Sequence, residues 1–141
     1  MSALFRSYTP GDEERATLDR DGHIALPGLL TDEACDELTQ ALAQIQALPM
    51  DDEEYLPNRY AAEFNIYLES LIGHPQLLAL ARWVLGEEIR YDHCVALNRL
   101  GGNGGSAWHS HQYADDDPGL GFLRVFFYVN GFAADDGGLK V

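Results

Sequence analysis

The sequence predicts an α+β fold in which helices come first and strands follow. Up to Gly86, apolar residues recur at spacings of three and four, which is typical of helices that bury one face. After Gly86, apolar and polar residues alternate, which is typical of strands. The 141 residues fit a single domain, and a hydrophobic fraction of 46% is enough to fill a core.

The first helix is predicted to start near Thr9 and Pro10. Threonine is a good N-cap, proline suits the first turn, and the acidic residues that follow favour the positive end of the helix dipole. Asp21 and Gly22 are expected to turn the chain. Residues 23–30, HIALPGLL, read as a short strand that Pro27 and Gly28 interrupt.

A second helix is predicted to follow Thr31, because threonine can cap and Asp32 and Glu33 occupy the first turn. Pro49 should end this helix. Its apolar face comprises Ala34, Leu38, Leu42, Ile45 and Leu48.

Two more helices are expected before the pattern changes. Residues 60–72 predict a short helix, and Pro75 begins another, which Gly86 should end in a left-handed conformation. Its apolar residues are Leu77, Leu78, Ala81, Val84 and Leu85. The acidic stretch 51–58 is expected to be an exposed loop.

Three strands are expected in the rest of the chain. Residues 89–100, IRYDHCVALNRL, alternate, with Ile89, Tyr91, His93, Val95 and Leu97 on one face. Residues 122–132 form a second predicted strand, which is apolar on both faces, and residues 139–141 begin a third after a turn at 133–138. Such an order favours an antiparallel β part.

Composition narrows the classes of partner and the compartment. There are 23 acidic against 9 basic residues, a net charge of -14, which repels phosphate backbones and anionic lipids and argues against nucleic acid or membrane partners. No stretch approaches the roughly 18 apolar residues of a membrane span, and the first residues do not resemble a signal peptide. Cys35 and Cys94 are expected to be free, partly buried thiols. We therefore expect a soluble, cytoplasmic protein.

The segment AWHSHQY, residues 107–113, is the strongest candidate for chemistry. Residues i and i+2 of a strand point to the same face, with their bases about 7 Å apart, so His109 and His111 can converge on one metal ion. Neutral imidazole binds Fe(II), Zn, Ni or Cu, so the pair alone does not name the metal. Two histidines on a strand can equally be ordinary hydrogen-bonding residues, and Trp108 is more typical of a core anchor than of a substrate contact.

The glycine-rich run before the histidines resembles a dinucleotide-binding motif in its spacing but not in its context. Gly102, Gly104 and Ala107 match the dinucleotide-binding fingerprint. That motif needs a helix whose N-terminus faces the pyrophosphate, whereas the residues that follow read as a strand. We interpret the run as a loop.

Several segments, taken in order, resemble one known family. They are DRDGHIALPGLL, TDEACDELTQAL, GHPQLLALARWVLG, NRLGGNGGSAWHSHQY and FLRVFFYVNGFAADDGGLKV. From about Leu18 onward the chain resembles the phytanoyl-CoA dioxygenase family, which includes enzymes similar to ectoine hydroxylase. The resemblance implies one domain over residues 1–141, in which N-terminal helices pack on a double-stranded β-helix, a cupin-like jelly roll.

The resemblance also implies a mononuclear Fe(II), 2-oxoglutarate as cosubstrate, and hydroxylation of a small organic substrate. His109, directly after Trp108, falls on the family's first iron ligand. His111 stands where the family has a carboxylate, so either this histidine binds the iron or a water or a carboxylate of residues 115–117 replaces it. Asn98 falls where related proteins contact 2-oxoglutarate.

The chain ends at GGLKV, before the segment in which the family carries a second histidine and an arginine for 2-oxoglutarate. We therefore expect the domain to be incomplete at its C-terminus, with its last strands missing and its metal and cosubstrate binding impaired. The exposed sheet edge would suit a homo-oligomer. Two alternatives stay open: a non-catalytic jelly-roll binding module, and a protein that holds Zn, Ni or Mn with the same pair.

Overall fold

The computed structural model describes residues 2–51, 55–98, 102, 107–109 and 121–131. These residues fold mainly as helices. Helices α1 (Asp12–Asp21) and α2 (Asp32–Gln46) are followed by a short 3-10 helix (Ala61–Glu63), and then by α3 (Ile66–Ile72) and α4 (Pro75–Leu85). Helix α3 packs against α2, the 3-10 helix and α4.

Helix α2 forms where the sequence predicts it. The Thr31 hydroxyl accepts a hydrogen bond from the backbone N–H of Ala34 at 3.1 Å, so the threonine caps the first turn. The buried residues of α2 are Ala34, Leu38, Ala41 and Ile45, which lie at helical spacing. The predicted cap is therefore confirmed, as are three residues of the predicted apolar face, Ala34, Leu38 and Ile45. Leu42 is only partly buried, and Leu48 lies beyond the helix, which ends at Gln46 rather than next to Pro49.

The helix predicted over residues 60–72 is interrupted by Asn65. Its side-chain oxygen accepts from the N–H of Leu68 at 3.0 Å and starts α3, while its amide nitrogen donates to the Gln44 carbonyl oxygen at 2.7 Å. Asn65 adopts an extended backbone conformation, which an N-cap requires and a helix interior forbids. The single predicted helix therefore becomes the 3-10 helix and α3.

Glycines mark the start of α1 and the end of α4. Helix α4 begins at Pro75 and ends before Gly86, whose φ of 94° suits a residue without a Cβ. The Gly86 N–H donates to the Arg82 carbonyl oxygen at 2.8 Å, as expected for a helix end. Helix α1 starts at Asp12, with Gly11 as its N-cap, two residues later than predicted.

The core lies between these helices and the residues that precede them. Leu4 and Phe5 pack with the apolar residues of α2, α3 and α4, and Leu4 and Ile45 are each 1% exposed. The full set of buried apolar residues is Leu4, Phe5, Ala34, Leu38, Ala41, Ile45, Ala61, Ala62, Leu68, Leu71, Leu80 and Ala96.

The predicted fold class is wrong for the part of the chain that the structure describes. Those residues contain no β-sheet, so the α+β assignment and its double-stranded β-helix, or jelly roll, are not supported. The strand predicted at 23–30 contributes only one antiparallel bridge, between Phe5 and Leu30. The described ranges therefore offer no sheet edge of the kind expected to support a homo-oligomer.

No strand forms within residues 89–98, because the backbone of this segment hydrogen-bonds to Asn58 and Ala61. The N–H of Ala96 donates to the Asn58 carbonyl oxygen at 2.8 Å, and the Cys94 carbonyl oxygen accepts from the N–H of Ala61 at 2.9 Å. These contacts turn Ala96 inward, with 8% exposure, and leave Leu97 outside, with 59%. Three of the five residues on the predicted apolar face, Tyr91, Val95 and Leu97, are therefore exposed.

The predicted strand at 122–132 is described as far as Gly131 and also lacks a partner strand within the described residues. Phe127 and Val129 pack against the core, whereas Phe126 and Tyr128 are about half exposed and stack on each other, with ring centroids 6.1 Å apart. Alternating side chains therefore occur here without a sheet. The predicted third strand, at 139–141, lies outside the described residues.

Two expectations from composition can be compared with the structure. No helix in the described ranges is long and apolar enough to cross a membrane. Cys35 and Cys94 are free and partly buried, as predicted.

Candidate functional site

His109 lies on the surface in the short described segment 107–109. Its Nδ1 is 2.7 Å from the Ala107 carbonyl oxygen. A carbonyl can only accept, so Nδ1–H donates and the lone pair of the neutral ring is on Nε2. Histidines that bind metals through Nε2 commonly anchor Nδ1–H on a carbonyl in this way. This contact is compatible with metal binding through Nε2.

The same local contact occurs at a second exposed histidine. His23 Nδ1 lies 3.1 Å from the carbonyl oxygen of Asp21, also two residues earlier in the chain. The tautomer of His109 is therefore compatible with metal binding but does not by itself identify a metal site. His23 provides a matched comparison for experiments on His109.

The structure describes only some of the other residues predicted to belong to the site. Asn98 is exposed at the end of the described segment 55–98. His111 and the carboxylates of residues 115–117 lie outside the described residues. Trp108 is 79% exposed, so its expected role as a core anchor is wrong: the hydrophobic core is filled without it.

Metal binding requires several donors at one point. The described part of the chain contains no group of three His, Cys, Asp or Glu side chains that could hold a metal ion. His109 offers the imidazole nitrogen that Fe(II) accepts. The described residues supply no complete ligand set around it.

His74 and His93 have structural roles. His74 is 5% exposed; its Nδ1 accepts from the N–H of Gln76 at 3.3 Å, and its Nε2–H donates to the Ser2 carbonyl oxygen at 3.1 Å. His93 Nδ1 lies 2.8 Å from a carboxylate oxygen of Asp92. We assign neither to a metal site.

Two titratable groups in the segment 89–98 have perturbed environments that the sequence did not indicate. Burial, with smaller contributions from the charges of Cys94, Glu63 and Asp92, raises the pKa of Tyr91 to about 12. Burial also raises the pKa of the Cys94 thiol, and a hydrogen bond from the backbone of Ala62 opposes this. Both groups are therefore neutral near pH 7, and Cys94 is not an activated nucleophile.

Two open cavities adjoin the Ser2–Pro10 region rather than the histidine segment. The larger, about 260 Å³, is lined by Ser2, Glu37, Ile66, Tyr67, Ser70 and His74. The smaller, about 130 Å³, is lined by Phe5, Tyr8, Pro10, Gln76, Ala79 and Leu80. Neither His109 nor Asn98 lines either cavity.

Comparison of the chain with protein-family models, with curated proteins and with solved structures finds no match. The family resemblance therefore depends on the sequence segments quoted above.

Proposed function

We propose that the chain provides part of an Fe(II)- and 2-oxoglutarate-dependent dioxygenase that hydroxylates a small organic substrate, with His109 and His111 as metal ligands. The order of motifs that resembles the phytanoyl-CoA dioxygenase family supports this proposal. The single structural observation in its favour is the hydrogen bond from His109 Nδ1 to the Ala107 carbonyl oxygen, which is compatible with metal binding through Nε2.

Each named residue has a defined task in this proposal. The bound iron and 2-oxoglutarate would supply the activation of oxygen, which protein side chains cannot perform alone. His109 would hold the metal through Nε2 while the Ala107 carbonyl fixes the ring. His111 would add a second imidazole from the same segment. The amide of Asn98 would donate a hydrogen bond to a carboxylate of 2-oxoglutarate.

The sequence also restricts the substrate class. We find no basic cluster that would select the phosphates of coenzyme A, and the net charge of -14 disfavours polyanionic ligands. The proposed substrate is therefore a small molecule without a coenzyme A group. The acidic residues 115–117 would suit a polar or cationic one.

The test is anaerobic titration of the chain with Fe(II) in the presence of 2-oxoglutarate, read as the visible charge-transfer band of the iron–2-oxoglutarate complex. The variants are His109→Ala and His111→Ala. His23→Ala is the matched control, because His23 is also exposed and its Nδ1 also contacts the carbonyl oxygen two residues earlier. Because the expected ligand set is incomplete, we expect a weak band in the parent chain and in His23→Ala, and its loss in the other two. A band that survives both substitutions would contradict the proposal, and no band in the parent chain would show that residues 1–141 do not form the iron site by themselves.

A non-catalytic binding module is the second candidate. The half-exposed aromatic side chains of Phe126 and Tyr128 favour it. This candidate predicts no iron-dependent band and no effect of either histidine substitution on function. If metal analysis shows Zn, Ni or Mn retained more tightly than Fe(II), the same pair serves another metal.

A further inference from the structure

The cavity of about 260 Å³ has no role in the proposed metal site. Its lining comes from α2, α3, the N-cap of α4 and the first residues of the chain, and consists of Ser2, Glu37, Ile66, Tyr67, Ser70 and His74. Because α3 packs against both α2 and α4, the packing of these helices fixes the shape of the cavity. Drug-sized ligands occupy pockets of roughly 300–1,000 Å³, so this cavity suits a small molecule.

Glu37 is the acidic residue of this lining. It is half-buried because it adjoins the buried stripe of α2, whereas the other acids of that helix, Asp32, Glu33 and Asp36, are exposed. Asp32 forms an ion pair with Arg6, but no hydrogen bond or ion pair among the described residues uses the carboxylate of Glu37. A carboxylate that is partly withdrawn from water without a partner is destabilised, and a cation that donates hydrogen bonds compensates for the loss.

Two hydroxyl groups of α3 lie in the same cavity as this carboxylate. The Ser70 hydroxyl donates to the Tyr67 carbonyl oxygen at 2.7 Å, so its proton is used and its lone pairs are available to a donor. Burial, with smaller contributions from the charges of Glu37, Glu33 and Cys35, raises the pKa of the Tyr67 phenol. The phenol is therefore neutral near pH 7, and the negative charge of Glu37 acts on it.

The remaining lining residues supply a wall and an apolar rim. His74 uses both ring nitrogens inside the protein: Nε2 contacts the Ser2 carbonyl oxygen at 3.1 Å, and Nδ1 contacts the N–H of Gln76 at 3.3 Å. Its ring is therefore part of the wall and is not available to bind a ligand through nitrogen. Ile66 is 84% exposed, and its side chain offers an apolar surface that an aliphatic chain can cover.

We propose that this cavity binds a small aliphatic primary amine in its ammonium form. The ammonium group pairs with the Glu37 carboxylate and donates a hydrogen bond to the Ser70 hydroxyl oxygen, and the carbon chain lies on Ile66. A ligand with a carboxylate of its own is disfavoured, because no Lys or Arg among the described residues lines the cavity and the net charge of the chain is -14. The cavity is separate from the histidine segment, and the proposal does not depend on the proposed function.

The probe is n-butylammonium, titrated into the full chain at constant ionic strength and followed by backbone amide chemical shifts. We expect saturable shifts centred on residues 66–70, with a Kd on the order of 1–10 mM, as suits a ligand of a few atoms. Butanol and butyrate have the same number of carbons without the positive charge, and should bind at least about tenfold more weakly. Equal affinity for butanol, shifts centred on residues 107–109, or no saturation by about 100 mM amine would overturn the proposal.

Two variants of α2 separate this cavity from the general negative charge of the surface. Glu37→Gln keeps the shape of the side chain and removes its charge, so the affinity for n-butylammonium should fall at least about tenfold. Asp36→Asn is the matched control: it removes a charge from the adjacent, exposed position outside the lining, and should change the affinity less than about twofold. The amide spectrum of each variant reports whether it is folded. Equal affinities of the parent chain and Glu37→Gln, or equal losses in the two variants, would overturn the proposal.

Discussion

The helical region and the later described segments differ in how they are held. Among the described residues, every buried apolar residue except Ala96 falls between Leu4 and Leu80. The described residues beyond Asn98, which we call the later segments, contribute only Phe127 and Val129 to the core, both partly buried, and Trp108 beside His109 is largely exposed. The residues that stabilise the fold and the proposed metal ligands therefore lie in different parts of the chain. Substitutions in the core should lower stability without a direct effect on metal binding, and substitutions of the histidines should do the reverse.

The largest expected effect is in α2. Ile45→Ala removes a side chain that is 1% exposed and leaves a cavity, so the free energy of unfolding should fall by about 2–5 kcal/mol. Val125→Ala, at a residue that is 39% exposed in the later segments, should cost less than about 1 kcal/mol. Urea unfolding of both variants measures the difference. Equal losses would show that the two regions are stabilised to the same degree.

A smaller effect is expected at the cap of α3. Asn65→Ala removes the hydrogen bond to the N–H of Leu68 and the one to the Gln44 side chain, which should cost about 1–2 kcal/mol. Asn130→Ala, at an exposed asparagine of the later segments, is the matched control and should change stability by less than about 0.5 kcal/mol. Thermal unfolding followed by circular dichroism would compare them. A larger loss in Asn130→Ala would reverse the assignment of the stable region.

The smallest effect appears only at alkaline pH. The folded state raises the pKa of the Cys94 thiol above its ordinary value of 9.0 and that of Tyr91 to about 12. A raised pKa means that the folded chain holds these protons more tightly, so the stability contribution is complete below about pH 9 and is lost as pH rises through the folded pKa values. Tyr91→Phe should therefore reduce the loss of stability between about pH 10 and 12. Unfolding curves at pH 8 and above test this, and identical pH profiles for the two chains would contradict it.

Local signals explain which helices were predictable. Thr31 and the apolar spacing of α2, and Pro75 and Gly86 around α4, act through neighbours only a few residues away. Asn65 was missed because a cap in the middle of an apolar pattern can also be read as one polar residue on a helix. Its partner Gln44 lies in another helix, which periodicity does not reveal.

The fold class was not predictable because alternation specifies which side chains share a face, not which backbone they pair with. Cys94 and Ala96 bond to Ala61 and Asn58, and this choice depends on where the 3-10 helix places its backbone. For the candidate site, the sequence indicated His109, and the structure adds the orientation of its ring. Its partner His111 remains a prediction from the two-residue spacing.

The most direct test of the central claim, that His109 and His111 bind the metal apart from the helical core, is histidine-ring NMR of the chain during anaerobic Fe(II) addition. The chain has five histidines, so their ring signals can be followed together. We predict that paramagnetic broadening affects the ring signals of His109 and His111 first, while the ring signals of His23 and buried His74 remain sharp. Broadening of His23 to the same extent as His109, or no selective broadening, would contradict the account.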